Sequence, residues 1–209
     1  MAALGDSSAE LSRRERKKLA VRARLLEAAA ALFDEHGFAA TRVAAICERA
    51  DVAQKTFFNH FPSKQTLLRE LAGYALAELL ADVETARKEE RTTPARLARF
   101  FARVAERAET GGPMHRELVT ELVHAVHSSQ TGSLHARRLH EAFGALVRDG
   151  LAAGDVTRRH DPETLTEMIL GAYYVLMFNY ANIDGFPIPR QAAAAARFLA
   201  DALAPGPEE

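Results

Sequence analysis

The chain has 209 residues, 48% of them hydrophobic, one cysteine and a formal net charge of -1. That size and apolar content suit one or two domains with a real core, and a lone cysteine excludes an intrachain disulfide framework. No apolar run exceeds Ile169 to Phe178, well short of the ~20 residues that span a bilayer, and no apolar core precedes the first charges. Neither a membrane span nor a secretory signal is therefore expected, and a cytoplasmic location is. The net charge hides an asymmetry: residues 1–70 carry 12 Lys and Arg against 9 Asp and Glu, and the remainder 15 against 19. The basic end is the candidate nucleic-acid end.

In chain order, residues 1–12 are small and polar and are expected to form a disordered tail. The run Arg13, Arg14, Arg16, Lys17 and Lys18 is either a solvated helix face or a set of phosphate or minor-groove contacts. A first helix follows, with Leu25, Leu26, Ala29, Leu32 and Phe33 on one stripe. Gly37 should end it, with Phe38 folding back on Phe33 as in a Schellman ending. Thr41 is the expected cap of a second, short helix, in which Val43, Ile46, Cys47 and Ala50 share a face. Cys47 reads as a small core residue rather than a redox sensor. Asp51 falls in the turn, where a left-handed backbone is often needed and Asp tolerates it.

A third helix, Gln54 to His60, should bury Phe57 and be followed by a buried Phe61. Its other side presents Gln54, Lys55, Thr56, Asn59 and His60 to base edges or phosphates. Pro62-Ser63 breaks this helix and Ser63 caps a long fourth one reaching about Lys88. Lys64 lies in its first turn, where the helix dipole disfavours a cation by ~0.3–1 kcal/mol unless an anion lies alongside. Together with the free amides there it reads as a phosphate clamp in preference to a solvated lysine.

The residues Phe33, Gly37, Thr41, Val43, Ile46, Ala50, Val52, Thr56, Phe61, Ser63, Lys64 and Leu67, at this spacing, resemble the DNA-binding region of the TetR family of bacterial transcriptional regulators. The resemblance spans Arg24 to Leu68. Three positions depart from the pattern: Asp51 where the family usually has Gly, Lys55 where Gly is frequent, and Phe58 where Tyr is usual. The resemblance implies a DNA-binding face of Arg42, Gln54, Lys55, Thr56, Phe58, Asn59, His60 and Lys64. Phe58 should keep apolar contact while losing the phosphate bond of the family tyrosine, and Lys55 can supply replacement charge.

Beyond the fourth helix the chain reads as helix after helix, with no sustained alternation to argue for a strand. Thr93-Pro94 looks like a cap with a first-turn proline, opening a helix with Leu97, Phe100, Phe101 and Val104 on one stripe; Gly111-Gly112-Pro113 ends it. Met114 to Ser128 forms the next, Thr131-Gly132-Ser133 reads as a loop, and Leu139, Phe143, Leu146, Val147 and Leu151 mark another helix. Asp161-Pro162 opens a helix to about Ala181 that is apolar on several sides, so it should bury more than one face. A last Ala-rich helix runs from Gln191 to Leu203. The expected fold is all-α with about nine helices. It comprises a tail (1–12), a three-helix helix-turn-helix domain (13–68), a second helical domain (69–204) and a short tail (205–209).

The TetR resemblance implies that the second domain binds ligand and dimerises, its last two helices pairing across a two-fold axis. Met168, Tyr173, Leu176, Tyr180, Phe198 and Leu199 are the candidate dimer residues, because these helices carry more apolar surface than one core needs. Phe100, Phe101, Met114, Leu118, Leu122, Phe143, Tyr173 and Met177 are candidate pocket residues. His124, His127 and Tyr173 are the polar groups that could orient a guest. Glu117, Glu121, His124 and His127 have spacing that could hold a metal, but no recognised metal motif is present and neither metal nor cofactor is expected. No nucleophile elbow, phosphate loop or catalytic carboxylate pair supports an enzyme. The sequence thus points to a homodimeric, sequence-specific DNA-binding regulator, a repressor released from a palindromic operator by a small, mainly apolar ligand. The alternatives are a regulator without such an inducer, constitutive or controlled by a protein, and a helical metal-binding or enzymatic domain.

Overall fold

The structure is a computed structural model describing residues 12–128 and 130–206, and the side chains within them except those of 124–133. The expected tail at 1–11 and residues 207–209 lie outside the described residues. Nine α-helices and no strand occur among the described residues, as the sequence pattern predicts. They are α1 Arg13–His36, α2 Val43–Arg49, α3 Gln54–His60, α4 Lys64–Glu89, α5 Thr93–Thr110, α6 Gly112–Ser128, α7 Gln130–Ala153, α8 Pro162–Asn182 and α9 Ile188–Leu203. The chain divides between Leu67 and Leu68 into two compact units.

In the first unit, Leu25, Ala29 and Phe33 of α1 close over Ile46 of α2 and Phe57 and Phe61 at α3, all without solvent exposure. The ends of α1 differ from expectation at both termini. Ser12 is no tail residue: it caps α1, its hydroxyl accepting from the Glu15 amide while the Glu15 carboxylate accepts from the Ser12 amide, a reciprocal capping box. At the other end Phe38 does pack on Phe33, with ring centroids 5.2 Å apart. Gly37, however, has φ 77° and ψ 160°, an extended left-sided geometry and not the αL geometry of a Schellman ending, and one that only glycine enters readily.

Thr41 does not cap α2, whose flanking residue Arg42 makes no side-chain cap bond. The Thr41 hydroxyl instead donates to the carbonyls of Leu32 (3.1 Å) and Gly37 (2.8 Å), so it ties the α1–α2 turn to the last turn of α1. Asp51 has φ 52°, the left-handed conformation its place in the turn requires. Its amide and that of Val52 return to Glu48 and Cys47 of α2.

The second unit is a bundle of α5 to α9 with most of α4, around a core that includes Leu76, Val83, Leu97, Phe100, Phe143, Leu146 and Ile169. Its most extensive helix pairing is α5 on α9, where Ala98, Ala102 and Ala105 meet the small side chains of Ala192 and Ala196 across a shallow groove. The cap of α5 is Thr92 and not Thr93. Thr93 is buried and gives both its amide (2.6 Å) and its hydroxyl (2.8 Å) to the Asp155 carboxylate after α7. Gly150 makes this approach possible, since a Cβ there would lie 2.3 Å from the Thr93 hydroxyl. The expected loop at Thr131-Gly132-Ser133 is helical, within the first turns of α7. A helical Gly costs ~1 kcal/mol, which the packing of α7 on α6 and α8 outweighs.

Asp155→Ala would strand a buried amide and a buried hydroxyl, each costing ~1–3 kcal/mol. It is expected to lower the urea midpoint without changing the slope. An unchanged midpoint would show that Thr93 finds other partners.

Candidate functional site

The two-turn α3 presents a divided face. Phe57 is buried and packs at a tilt against Phe61, with centroids 5.9 Å apart, whereas Gln54, Lys55, Phe58 and Asn59 are exposed. Thr56 and His60 sit lower, half-buried, and Arg42 is exposed just before α2. The C-terminal end of α3 is held from α1. The Arg22 guanidinium lies 4.3 Å over the Phe61 ring and donates to the His60 carbonyl at 3.0 Å. The sequence reading missed Arg22, although its position one turn before Leu25 and Leu26 places it at the edge of the packed stripe. His60 is held neutral: burial lowers its pKa, and Arg22 and Lys18 lower it further. The basic residues Arg13, Arg14, Arg16, Lys17 and Lys18 all belong to the exposed first turns of α1.

Lys64, expected as a phosphate clamp, also makes contacts within its own unit. Its ammonium donates to the carbonyls of Phe38, Ala39 (3.4 Å) and Thr41 (2.7 Å) and lies 4.3 Å above the Phe38 ring. Carbonyl dipoles and a ring face thus offset the unfavourable helix dipole where a phosphate was expected to do so. Lys64 braces the α1–α2 turn against the start of α4, whose first turn is capped by Ser63 through the Thr66 amide at 3.1 Å. Buried Cys47 has its thiol pKa raised by desolvation, in keeping with a core role.

In the second unit a cavity of about 240 Å³ opens between α4, α5, α6 and α8. Of the expected pocket residues, Met114, Leu118, Leu122, Tyr173 and Met177 line it. Phe100, Phe101 and Phe143 do not: Phe100 packs edge-on against Phe143 at 5.0 Å and Phe101 at 5.3 Å, and all three are fully buried core. The side chains of His124 and His127 lie outside the described residues, so the metal spacing that used them does too; Glu121 is bound to Arg69 at 3.0 Å.

Four polar lining residues escaped the sequence reading: Glu78, Arg107, Thr110 and His115. Arg107 pairs with Glu78 and with the largely buried Asp82 at 2.7 Å, joining α5 to α4. On α5 it reads as one of several regularly spaced arginines of a solvated face. No sequence signal marks His115; Gly111 lets it approach, since a Cβ there would lie 2.5 Å from that of His115.

The candidate dimer residues separate into two groups. Tyr173, Leu176, Tyr180 and Leu199 are buried within the single chain. Tyr180 uses its hydroxyl on the Ala108 carbonyl at 3.1 Å; Tyr173, Leu176 and Tyr180 belong to the core, whereas Leu199, though little exposed, forms part of the floor of an open groove between α8 and α9. Met168 and Phe198 are 57% and 70% exposed, and Val175 and Phe178 join them as exposed apolar side chains of α8. Met168, Val175 and Phe198 border an open groove of about 600 Å³ between α8 and α9.

A short solvent-facing helix fixed on an aromatic base behind a left-handed turn, followed by a helical bundle with its own cavity, defines a helix-turn-helix protein with a second helical unit. Residues 25–71 match the model of bacterial regulatory proteins, tetR family. The chain is similar to the HTH-type transcriptional repressor KstR of Mycolicibacterium smegmatis, 30% identical over 66% of each chain. It is also 32% identical to KstR of Mycobacterium tuberculosis over 52% of this chain and 47% of that one. It thus spans about two thirds of the length of one curated relative and about half of the other. Thermus thermophilus FadR, a TetR-family repressor solved with lauroyl-CoA, shares the fold: TM-score 0.64 and 21% identity over 85% of this chain and 92% of that one. The chain belongs to the tetR family of bacterial regulatory proteins.

Lys64→Ala removes part-buried, charge-assisted bonds to carbonyls and is expected to destabilise the first unit by roughly 1.5–3 kcal/mol. Urea denaturation followed alongside the salt dependence of DNA binding separates the roles: lost stability identifies a brace, a flatter salt slope alone a phosphate contact.

Burial is also the main cause of a lowered pKa at His115, where Arg107 adds and Glu78 opposes, and at His135. A histidine whose folded pKa lies below its unfolded value of ~6.5 contributes stability that is full above that value and lost as pH falls through it. The unfolding free energy should therefore decline below about pH 6.5, and His115→Phe should flatten the decline. Urea midpoints at about pH 7.5 and about pH 5.5 check this, since equal slopes in the two proteins would remove His115 from the titration.

Proposed function

We propose that this chain is a cytoplasmic, homodimeric, sequence-specific DNA-binding transcriptional regulator, a repressor released from a palindromic operator by a small, mainly apolar ligand. The observation that carries the reading is α3, with Gln54, Lys55, Phe58 and Asn59 exposed on a base of buried Phe57 and Phe61. Amide side chains such as Asn59 and Gln54 can bond an adenine edge bidentately in the major groove, and Lys55 can bond a guanine edge or a phosphate. The curated relatives, both named as transcriptional repressors, support the direction of control.

Dimerisation is supported by the exposed Met168, Val175, Phe178 and Phe198. A face of this kind is costly to leave in water and fits a second copy of itself across a two-fold axis. Two recognition helices must also reach half-sites one helical turn apart for specific affinity. The cavity supports the effector: its apolar wall of Met114, Leu118, Leu122 and Met177 with a few polar groups is the usual lining of a small-molecule site. At about 240 Å³ it falls just under the common range of ~300–1,000 Å³, so a guest enclosed there is compact. Release requires that the ligand prefer the state that does not bind DNA. A ~100-fold preference corresponds to about 2.7 kcal/mol of coupling, and operator must weaken ligand binding equally.

Replacing Asn59 or Gln54 by Ala should change base preference by ~1–3 kcal/mol at one position of the operator. Lys55→Ala should distinguish base from phosphate contact, the latter weakening all sequences alike. Binding-site selection with each variant reads the difference, and identical selected sequences for wild type and all three variants would remove α3 from recognition. Phe198→Arg should yield a folded monomer with lost operator affinity, because an unpaired charge at the centre of an apolar contact costs several kcal/mol. Sedimentation of a wild-type monomer that still binds a palindrome tightly would count against the dimer.

A further inference from the structure

The cavity adjoins a narrower recess of about 20 Å³, the two sharing Leu79, Val119, Leu122 and Tyr173 as walls. His135 of α7 and Tyr174 of α8 line this recess. His135 Nδ1 and the Tyr174 hydroxyl are both withdrawn from solvent, and neither meets a hydrogen-bonding partner among the described residues. A buried polar atom left unpaired is destabilising and rare in folded chains. Leu and Phe would fill the same space without that cost, so core filling alone does not account for two such atoms, from two helices, at one recess.

The recess is lined by no charged side chain among the described residues. Burial lowers the His135 pKa, with Arg138 adding to the effect, and burial raises that of Tyr174. Both groups are therefore uncharged near neutrality. A phenol donates to an oxygen lone pair, and a neutral imidazole nitrogen either donates or accepts according to its tautomer. A carboxylate or an ammonium would lose its hydration there without gaining a counter-charge.

We propose that His135 and Tyr174 form a polar subsite that binds an uncharged oxygen, a carbonyl or hydroxyl, on an otherwise apolar effector. The assignment rests on the adjoining cavity being the effector pocket. Tyr174 donates to the guest oxygen, while His135 Nδ1 donates to its second lone pair or accepts from a hydroxyl. The apolar remainder of the guest extends past Leu79, Leu122 and Tyr173 into the larger cavity.

The test is calorimetry of the full chain with three near-isosteric probes: acetophenone, ethylbenzene and benzoate. Wild type is expected to bind the ketone at least about tenfold more tightly than the other two. Tyr174→Phe and His135→Leu should each erase most of that margin and leave ethylbenzene within about twofold of wild type. Tyr174→Phe should also melt no lower than wild type, since it removes a hydroxyl that bonds no group among the described residues. Equal wild-type affinity for ketone and hydrocarbon, tightest binding of benzoate, a margin retained in both variants, or a lower melting temperature for Tyr174→Phe would each overturn the subsite while leaving the cavity as a pocket. No saturable binding of any probe would overturn the subsite and the effector pocket together.

Discussion

A helix of seven residues cannot hold itself in water: nucleation is unfavourable, and isolated helices shorter than ~12–15 residues are marginal. α3 is such a helix, and the first unit is arranged to supply the stability it lacks. Phe57 and Phe61 anchor it to the core, Arg22 holds its last carbonyl from α1, and Asp51 sets its approach with a left-handed backbone. Thr41 and Lys64 satisfy carbonyls at the end of α1 and in the α1–α2 turn. The solvent-facing residues Gln54, Lys55 and Asn59 contribute nothing to this framework and are free to be chosen for what they touch outside it.

The second unit meets the opposite constraint. It has ample apolar surface but leaves part of its interior open, and an unfilled cavity forfeits dispersion contacts along its lining. Three buried phenylalanines are used elsewhere, Phe100 packing against Phe101 and Phe143. The partly buried link between Arg107 and Asp82 joins α4 and α5 beside the opening. Such a pair contributes little net stability once desolvation is counted, yet is costly to break from one side. It therefore fixes the relative position of the two helices more than it stabilises them.

The helices were legible in the sequence because period, caps and prolines agree: α3 and the start of α8 fall where Gln54 and Asp161-Pro162 put them. The exposed face of α3 was legible for the same reason, since the buried positions of a two-turn helix leave few alternatives. What sequence could not separate were side chains whose partners lie far along the chain. Thr93 looks like a cap beside Pro94 but is taken by Asp155, and the bonds from Lys64 to the Phe38 and Thr41 carbonyls have no signal in the sequence. Tyr173, Leu176 and Phe198 are equally apolar in sequence, and only packing decides which face inward. The pocket was half legible: Met114 and Met177 signalled an adaptable apolar wall, whereas Arg107, His115 and Tyr174 belong to residue types that an exposed helix face also carries.

On the proposed reading, α8 links ligand to dimer. Tyr173 and Met177 line the cavity on one side of this helix, while Met168 and Val175 border the outer groove on another. A helix of 21 residues transmits a small rotation along its length because its backbone bonds are internal and its packed faces are not compressible. A guest that turns Tyr173 outward from the cavity thus also alters the angle at which Met168 and Val175 meet a second copy. Such a guest changes the dimer only to the extent that it binds one of the two arrangements better. An effector that merely fills the cavity equally well in both would stabilise the protein and leave DNA binding untouched. Regulation therefore depends less on how tightly the apolar wall holds a guest than on contacts made in one arrangement of α8 and not in the other.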